Sequence, residues 1–377
     1  MKRPADKAPA YLFAGGGTGG HLYPAIAIAA ELRKLSPQAE IHFAGTSRGV
    51  ETRIVPELGY PLHLIAIRGF ARHRFWINLA LPFLLLWSLV QSLTLIMRLR
   101  PRVVVGTGGY VSGPILFAAH LLGRPTLIQE QNSFPGVTTR LLARWVDQVH
   151  LGFAEARPLF KRRTNVYTTG NPVRDFSVSA TAAEARRYFG LDPARPTLLV
   201  FGGSQGARVI NELVIKYLSR LLAESEIQLI WSSGKWNQEA VRQALVGCEE
   251  RVWRTDFITE MPLAYRAADV VMSRAGALTL AEIAVCGLPA LLIPFAAAAG
   301  NHQEANALAL AHRGAALVIL ERELPQHDLV AELLGLINDA PRRQIMGRIA
   351  RETAFTTAGA DLARAVMDLD LSQKGDA

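Results

Sequence analysis

The chain has 377 residues, of which 50% are hydrophobic and 19% are charged, and its formal net charge is +9. This composition excludes intrinsic disorder and fibrous repeats, and the length predicts two domains that need no disulfide or structural metal to fold. The two cysteines, Cys248 and Cys286, are too few for a disulfide scaffold and are typical of a reducing compartment. Residues 1–10 contain no apolar run, so we expect no signal peptide.

Short β-branched runs alternate with amphipathic stretches along most of the chain, which predicts parallel sheets with helices on both faces. A first set of predicted strands spans residues 11–14, 40–44, 103–107, 126–129, 148–151 and 166–168. A second set spans residues 197–201, 227–231, 252–255, 270–273, 290–294 and 316–319.

The segment Gly170-Asn171-Pro172-Val173-Arg174 lies between the two sets and has the composition of a linker. We therefore predict two doubly wound, Rossmann-like domains, 1–174 and 175–352, with a cleft between them. No strand follows the last helices, so we expect the C-terminal helix, 353–377, to pack back on the first domain.

Each predicted domain opens with a strand, a glycine-rich loop and a helix, at 15–21 and again at 202–208. Such a loop lets the backbone approach an anion, and the helix start offers free N–H groups. Gly15, Gly17 and Gly20 also fit the dinucleotide fingerprint. However, the second predicted strand ends without the acid that would hold a ribose, so a nicotinamide cofactor is disfavoured.

The second glycine loop also fits the nucleophile elbow of α/β-hydrolases, with Ser204 as the nucleophile. A later acid and either His302 or His312 would complete a triad in the required order. This interpretation gives the first glycine loop no role, whereas a Ser204 hydroxyl that donates to a phosphate uses both loops. The hydrolase stays open as an alternative.

A third pattern follows the predicted strand at 270–273. Gly276 to Thr279 would open a helix and present backbone N–H groups to a diphosphate, and Glu282 could accept two hydrogen bonds from a ribose diol. The polar segment Asn-His-Gln-Glu-Ala-Asn at 301–306 opens another helix beside the same strand ends. The pattern predicts a nucleoside diphosphate next to a polyhydroxylated group.

Six arginines and no acid lie between Arg68 and Arg102, and they flank the uncharged stretch 76–97, in which 16 of 22 residues are apolar. The stretch is long enough to cross a bilayer. Its polar residues, and the core strand that follows almost directly, favour instead a helix that lies in the membrane surface. An ordinary buried helix is the alternative. The clustered arginines do not have the spread of a nucleic-acid groove, so no nucleic acid is expected.

Seven blocks along the chain match one known family, and the chain resembles the MurG family of UDP-N-acetylglucosamine (UDP-GlcNAc) transferases over nearly its whole length. The blocks are Gly-Gly-Thr-Gly-Gly-His at 16–21, Gly-Gly-Tyr-Val-Ser-Gly-Pro at 108–114, Glu-Gln-Asn at 130–132, Gly-Asn-Pro-Val-Arg at 170–174, Gly-Gly-Ser-Gln-Gly-Ala-Arg at 202–208, Arg-Ala-Gly-Ala-Leu-Thr at 274–279 and His-Gln-Glu-Ala-Asn-Ala at 302–307.

The resemblance implies the α/β fold called GT-B and transfer of GlcNAc from UDP-GlcNAc to the C4 hydroxyl of undecaprenyl-diphospho-N-acetylmuramyl-pentapeptide, a step of peptidoglycan synthesis. It also implies which residues bind the substrates. On the donor side these are Arg174 and Ser204 for phosphate, the main chain at Ile258 for uracil, Ala277, Leu278, Thr279, Leu280, Ala281 and Glu282 for the diphosphate and ribose, and Gln303 for the sugar. From the first domain, Thr18, Gly19, Gly20 and Asn132 would close over sugar and acceptor.

The family reaction inverts the anomeric carbon, so one base must take the proton of the acceptor hydroxyl. His21, which follows the first glycine loop, is the candidate base. No cofactor is expected, and no metal is expected either, because the one Asp-x-Asp, at Asp368 and Asp370, falls in the tail and is interpreted as a solvated pair.

The acceptor's polyprenyl tail stays in the bilayer, so we expect a peripheral enzyme on an anionic surface, the cytoplasmic side of the inner membrane, with room for other cell-wall synthesis proteins as partners. The predicted docking patch comprises Arg68, Arg72, Arg74, Phe75, Trp76, Phe83 and Trp87. The alternatives of the same fold are a transferase or epimerase that acts on another UDP-sugar. An alternative of another class is a carbohydrate-binding protein without turnover.

Overall fold

The computed structural model describes residues 8–69, 79–161, 164–174, 176, 178–203, 206–235 and 237–375. The chain divides into two compact units. Unit 1 comprises Met1–Val173 with Phe355–Ala377, and unit 2 comprises Arg174–Ala354. Each unit is built on one parallel β-sheet, as the alternating pattern predicts.

The strands of unit 1 are β1 Ala10–Gly15, β2 Glu40–Gly45, β3 Leu62–Leu64, β4 Val103–Gly108, β5 Thr126–Glu130, β6 Gln148–Leu151 and β7 Val166–Thr168. Within the described residues they form one parallel sheet in the order β3-β2-β1-β4-β5-β6-β7. Its helices are α1 Gly19–Leu35, α2 Glu51–Glu57, α3 Leu81–Leu99, α4 Ser112–Leu121, α5 Val137–Leu142 and, at the C-terminus, α14 Ala358–Gly375.

The strands of unit 2 are β8 Thr197–Phe201, β9 Gln228–Ser232, β10 Val252–Thr255, β11 Val270–Ser273, β12 Ala290–Leu292 and β13 Ala316–Val318. They pair in the order β10-β9-β8-β11-β12-β13, again in parallel. Its helices are α6 Ala182–Tyr188, α7 Arg208–Ala223, α8 Gln238–Leu245, α9 Met261–Ala267, α10 Ala277–Cys286, α11 His302–Ala311, α12 Leu329–Ile337 and α13 Ala340–Glu352.

All twelve predicted strands are present, and the differences lie at their ends. The strand expected to reach residue 294 ends at Leu292, because Pro294 has no N–H to extend the ladder. Strand β3 was not predicted, since three residues are too few to show an alternating pattern.

Each sheet reverses its strand order at one place, between β1 and β4 in unit 1 and between β8 and β11 in unit 2. Loops that follow the two strands at such a reversal diverge to opposite faces and leave a crevice at the carboxyl ends. The glycine-rich loops at 15–18 and 202–207 both follow a strand at this reversal. The topology therefore places both predicted loops where open α/β sheets bind ligands.

The C-terminal helix α14 packs against α1 in unit 1. Its Asp370 is buried, accepts a hydrogen bond of 2.9 Å from the Tyr11 hydroxyl and lies 3.6 Å from Arg102. The expectation of a solvated Asp368–Asp370 pair is therefore wrong for Asp370. The pattern did not show this partner because Tyr11 lies at the other end of the chain.

Candidate active site

The first glycine loop and the loop after β4 touch each other at the reversal point of unit 1. A side chain at Gly109, whose φ is +76°, would have its Cβ 2.5 Å from the carbonyl oxygen of Gly16. The Ser112 hydroxyl lies 2.6 Å from the carbonyl oxygen of Ala14 and accepts a hydrogen bond from the N–H of Gly108. These contacts join the carboxyl ends of β1 and β4 into one surface.

A buried glutamate supports the first glycine loop from beneath. The carboxylate of Glu51, the first residue of α2, accepts hydrogen bonds from the N–H of Gly17 and from the N–H and hydroxyl of Thr46, each within 2.9 Å. A Cβ at Gly16 would lie 2.5 Å from this carboxylate. Sequence reasoning missed Glu51 because it looked for an acid at the end of β2 that would point outward to a ribose.

Thr18, Gly19 and Gly20 form the N-cap and first turn of α1, and Thr18 makes no side-chain capping bond. The first-turn N–H groups of a helix have no carbonyl partner within it. The start of α1 can therefore accept an anion, although the N–H of Gly17 just before it already donates to Glu51.

His21 lies one residue further into α1, with its ring against the loop after β4. Its ring nitrogen Nδ1 is 3.0 Å from Oε1 of Gln131, and its carbonyl accepts a 2.7 Å bond from the Thr107 hydroxyl. A Cβ at Gly108, whose φ is +103°, would lie 2.5 Å from Nδ1. Only glycine leaves room there for the ring.

Asn132 follows β5 on a loop that a second buried glutamate holds. Glu130 accepts hydrogen bonds from the N–H and side-chain amide of Asn132 and from the N–H of Gly136. Unit 1 thus brings Thr18, Gly19, Gly20, His21 and Asn132 to one edge of its sheet, on the loops after β1 and β5. Their contacts with sugar and acceptor stay predictions.

In unit 2 the glycine loop follows β8. A Cβ at Gly202 would lie 2.3 Å from the N–H nitrogen of Ala207, so position 202 has room only for glycine. Ser204, whose hydroxyl is predicted to donate a hydrogen bond to a phosphate, lies outside the described residues.

The start of α10 is the clearest ligand-accepting feature of unit 2. Its N-cap is Gly276, which has no side chain to cap the helix, and its first turn contains no acid. Among the described residues, none accepts a hydrogen bond from the first-turn N–H groups of Ala277, Leu278 and Thr279. The side chain of Leu280 is buried in the core, and its N–H donates to the carbonyl of Gly276. The contact of Leu280 with the donor stays a prediction.

Glu282 lies on the next turn of α10, where the buried Tyr265 donates a 2.9 Å hydrogen bond to its carboxylate. The ring of Tyr265 packs edge-on against Phe176 and Phe201. Burial raises the pKa of the Glu282 carboxyl above its usual value, and the nearby Arg174 opposes that shift. The structure thus places Arg174 and Glu282 within electrostatic reach of each other.

A buried arginine connects the loops after β11 and β12. Arg274 donates to the carbonyl oxygens of Ile293 and Pro294, forms a 2.5 Å ion pair with Glu321 and stacks on Phe295. Its guanidinium therefore holds the loop in place instead of facing a ligand. The block at 274–279 contains Arg274, but its sequence predicts no role for this side chain.

Gln303 and Glu304 open α11 beside this loop. The side-chain oxygen of Gln303 accepts a hydrogen bond from the N–H of Phe295, and Glu304 is paired with Arg322 and Asn301. Ile258 lies buried in the segment between β10 and α9. Ile258 thus follows the carboxyl end of β10, and the start of α11 follows that of β12.

Helix α3 exposes six large apolar side chains, those of Phe83, Leu85, Leu86, Trp87, Val90 and Met97. Phe83 is 78% exposed and Trp87 56%, and a shallow groove beside them is lined by Arg68, Ala80 and Leu84. The predicted patch members Arg72, Arg74, Phe75 and Trp76 lie outside the described residues. Among those described, α3 is the one helix whose length and hydropathy would suffice to cross a membrane.

Two domain families match the chain. Residues 11–151 match the glycosyltransferase family 28 N-terminal domain, and residues 197–362 match the glycosyltransferase family 28 C-terminal domain. Together with the two parallel-sheet units, these matches define a family 28 glycosyltransferase with the GT-B fold. The predicted fold class is confirmed.

Individual relatives narrow the assignment. The UDP-N-acetylglucosamine–N-acetylmuramyl-(pentapeptide) pyrophosphoryl-undecaprenol N-acetylglucosamine transferase of Chlorobaculum parvum is 47% identical over 96% of this chain and 99% of its own length. The enzyme of that name from Salinibacter ruber is 43% identical over 97% and 98%. The crystal structure of Acinetobacter baumannii MurG aligns with a TM-score of 0.77 and 28% identity, over 96% of this chain and 99% of that one. The chain belongs to the MurG family.

We predict that Gly108→Ala abolishes most sugar transfer without unfolding the protein, because the added methyl group would displace the His21 ring. Displacing a general base typically costs about 10²- to 10⁴-fold in rate. The measurement is kcat of the purified variant, with circular dichroism to verify the fold.

The matched control is Gly59→Ala, since Gly59 also has positive φ, +75°, but no atom lies within 4 Å of its added Cβ. Both substitutions carry a similar backbone strain, of about 1–2 kcal/mol. Equal losses of turnover in the two variants would contradict the assignment of the effect to His21.

Proposed function

We propose that this enzyme transfers GlcNAc from UDP-GlcNAc to the C4 hydroxyl of undecaprenyl-diphospho-N-acetylmuramyl-pentapeptide, with inversion at the anomeric carbon. The names of relatives that are 43–47% identical over nearly the full chain support this substrate pair. The observation that carries the proposal is the start of α10, where uncapped N–H groups stand one turn before a carboxylate suited to a ribose.

The donor diphosphate would lie on the first-turn N–H groups of α10 and near Arg174. A helix N-terminus carries about half a positive charge, and charge that develops on departing UDP would be stabilised there. Glu282 would accept hydrogen bonds from both ribose hydroxyls. Tyr265 uses only one lone pair of this carboxylate, so acceptor capacity is left for the diol.

Electrostatics favour unit 2 over unit 1 for the nucleotide. In unit 1 the glycine loop rests on the carboxylate of Glu51, which occupies the Gly17 N–H and adds negative charge beneath the loop. At the start of α10, no described carboxylate bonds the N–H groups of residues 276–278. A diphosphate is therefore better accommodated at α10.

On the acceptor side, His21 would act as general base. The oxygen of the acceptor hydroxyl forms a bond to the anomeric carbon of GlcNAc while the bond from that carbon to the UDP oxygen breaks. The hydroxyl proton passes to a ring nitrogen of His21, and UDP leaves as the anion. Asn132 and the start of α1 would hold the acceptor.

The proposed membrane surface is the outward face of α3, because the helix exposes large apolar side chains while it buries two serines. The side chains that it buries against unit 1 include Ser88 and Ser92, whose hydroxyls bond to carbonyls of their own helix. The large apolar side chains Phe83 and Trp87 point outward instead. Water would not favour this arrangement, but a lipid surface would, since each such side chain gains about 1.5–3 kcal/mol when fully buried.

Neighbouring helices extend this surface. Helix α4 packs on α3 and α5 packs on α4, and both regions expose large apolar side chains, including Leu121, Leu141 and Trp145. Arg98 and Arg100 lie exposed at the end of α3 and would interact with anionic headgroups. Because α3 packs on the core through Ile96 and neighbouring residues, we infer that it lies in the membrane surface and does not span it.

The reaction is tested by UDP release from UDP-GlcNAc, with and without the lipid-linked muramyl-pentapeptide. We expect release only with acceptor, and a loss of about 10²- to 10⁴-fold in His21→Ala, because the acceptor hydroxyl then has no base. Release without acceptor would instead indicate epimerase or hydrolase chemistry. A His21→Ala rate within about threefold of wild type would contradict the role of His21.

The ribose contact predicts a pH dependence of donor binding. Because burial raises the Glu282 pKa, this carboxyl protonates at a higher pH than an ordinary glutamate and loses its charge as the pH falls. We expect the Kd of UDP-GlcNAc, measured by calorimetry, to rise about tenfold or more as the pH falls and the Glu282 carboxylate is protonated. Glu282→Gln should bind weakly at every pH, without this dependence. An unchanged pH dependence in the glutamine variant would rule out Glu282.

Membrane docking is tested by co-sedimentation with anionic vesicles. We expect the double variant Phe83→Ser, Trp87→Ser to partition at least about tenfold more weakly, because it removes two inserted side chains. The control replaces the equally exposed Tyr188 and Val246 of unit 2 by serine and should bind like wild type. Normal binding by the α3 variant would overturn the proposed surface.

A further inference from the structure

Gln131 contacts the candidate base His21 and is itself almost fully buried. Its side-chain oxygen Oε1 lies 3.0 Å from Nδ1 of His21, and its exposed fraction is 3%. Gln131 lies just beyond the end of β5, while His21 lies in α1, so the pair joins two elements of unit 1. A neutral histidine has two tautomers, and the partner of one ring nitrogen decides which one forms.

The orientation of the Gln131 amide follows from its partners. Its nitrogen Nε2 lies 2.8 Å from the carbonyl oxygen of Thr107, 2.9 Å from that of Gln129 and 2.6 Å from the side-chain oxygen of Gln129. All three are acceptors, so only the NH₂ group can face them. The amide oxygen must therefore face His21.

Two further buried amides complete the network. Gln129 donates from its side chain to the side-chain oxygen of Asn171, at 2.9 Å, and Asn171 donates to the carbonyl oxygen of Gln131, at 2.9 Å. A flip of any of these amides would bring two oxygens together in a buried site, where an unsatisfied polar group costs about 1–3 kcal/mol. The network therefore holds Gln131 in one orientation.

Since Oε1 of Gln131 can only accept, Nδ1 of His21 must donate. We propose that Gln131 is a positioning residue that holds neutral His21 in the Nδ1–H tautomer and leaves a lone pair on Nε2. Among the residues that the structure describes, none makes a hydrogen bond to Nε2. The inference rests on the proposed role of His21 as base, since a base needs this lone pair toward the acceptor hydroxyl.

In this tautomer the two ring nitrogens of His21 have separate roles in the proton transfer. The acceptor hydroxyl gives its proton to Nε2, and the imidazolium that results keeps its Nδ1–H bond to Gln131. In the opposite tautomer, Nε2 would carry a hydrogen and could only donate to the hydroxyl, so the first step would need a prior exchange of protons. Gln131 removes that requirement.

The direct test is long-range ¹H–¹⁵N NMR of the full-length enzyme labelled with ¹⁵N-histidine, which distinguishes the two tautomers of a neutral ring. The chain has nine histidines, and the His21 signal is identified by its absence in His21→Ala. We expect Nδ1–H with a bare Nε2 in wild type. An Nε2–H signal would overturn the inference and leave the base role of His21 untouched. Full turnover in His21→Ala would instead overturn the base role.

The functional test is Gln131→Met, which keeps the side-chain length but removes the acceptor. We expect kcat to fall roughly 10- to 1,000-fold, with little change in the KM of UDP-GlcNAc, and the Nδ1–H preference of His21 to be lost. The matched control is Gln148→Met, because the side-chain oxygen of Gln148 also lies next to a histidine ring nitrogen, 2.9 Å from Nε2 of His150, but on β6. Normal kcat in a folded Gln131→Met, or an equal loss in Gln148→Met, would overturn the inference.

Discussion

A glycine-rich loop has no side chains of its own to fix its shape, so its geometry must come from groups buried beneath it. In unit 1 the carboxylate of Glu51 does this by accepting hydrogen bonds from Gly17 and Thr46. Glu130 holds the loop that carries Asn132 in the same manner. The positions of the predicted ligand contacts in unit 1 depend on these two buried carboxylates.

In unit 2 a buried positive charge, instead of a carboxylate, supports a loop of the candidate site. The guanidinium of Arg274 donates to carbonyl oxygens of the loop after β12, and the Tyr265 hydroxyl donates to the carboxylate of Glu282. Negative charge thus lies beneath the glycine loop of unit 1, while in unit 2 the start of α10 has no capping side chain and Arg174 acts electrostatically on Glu282. This difference in charge is the reason for proposing the donor nucleotide at α10 instead of at the first glycine loop.

Local patterns predicted the strands, the glycine loops and the helix starts, because each depends on residues that are adjacent in sequence. The supporting residues were not predictable in this way. Glu51 and Gly17 are 34 positions apart, and Gln131 and His21 are 110 apart, so only the folded sheet brings them together. A continuous motif such as 277–282 also does not show that helical periodicity turns the Leu280 side chain into the core.

The central claim is that the nucleotide of the donor binds at the start of α10. The most direct measurement is a crystal structure of the full-length enzyme with UDP-GlcNAc. We expect the diphosphate oxygens within hydrogen-bond distance of the N–H groups of residues 277–279, and both ribose hydroxyls on the Glu282 carboxylate. A diphosphate bound instead at residues 17–20 of the first glycine loop would contradict the account.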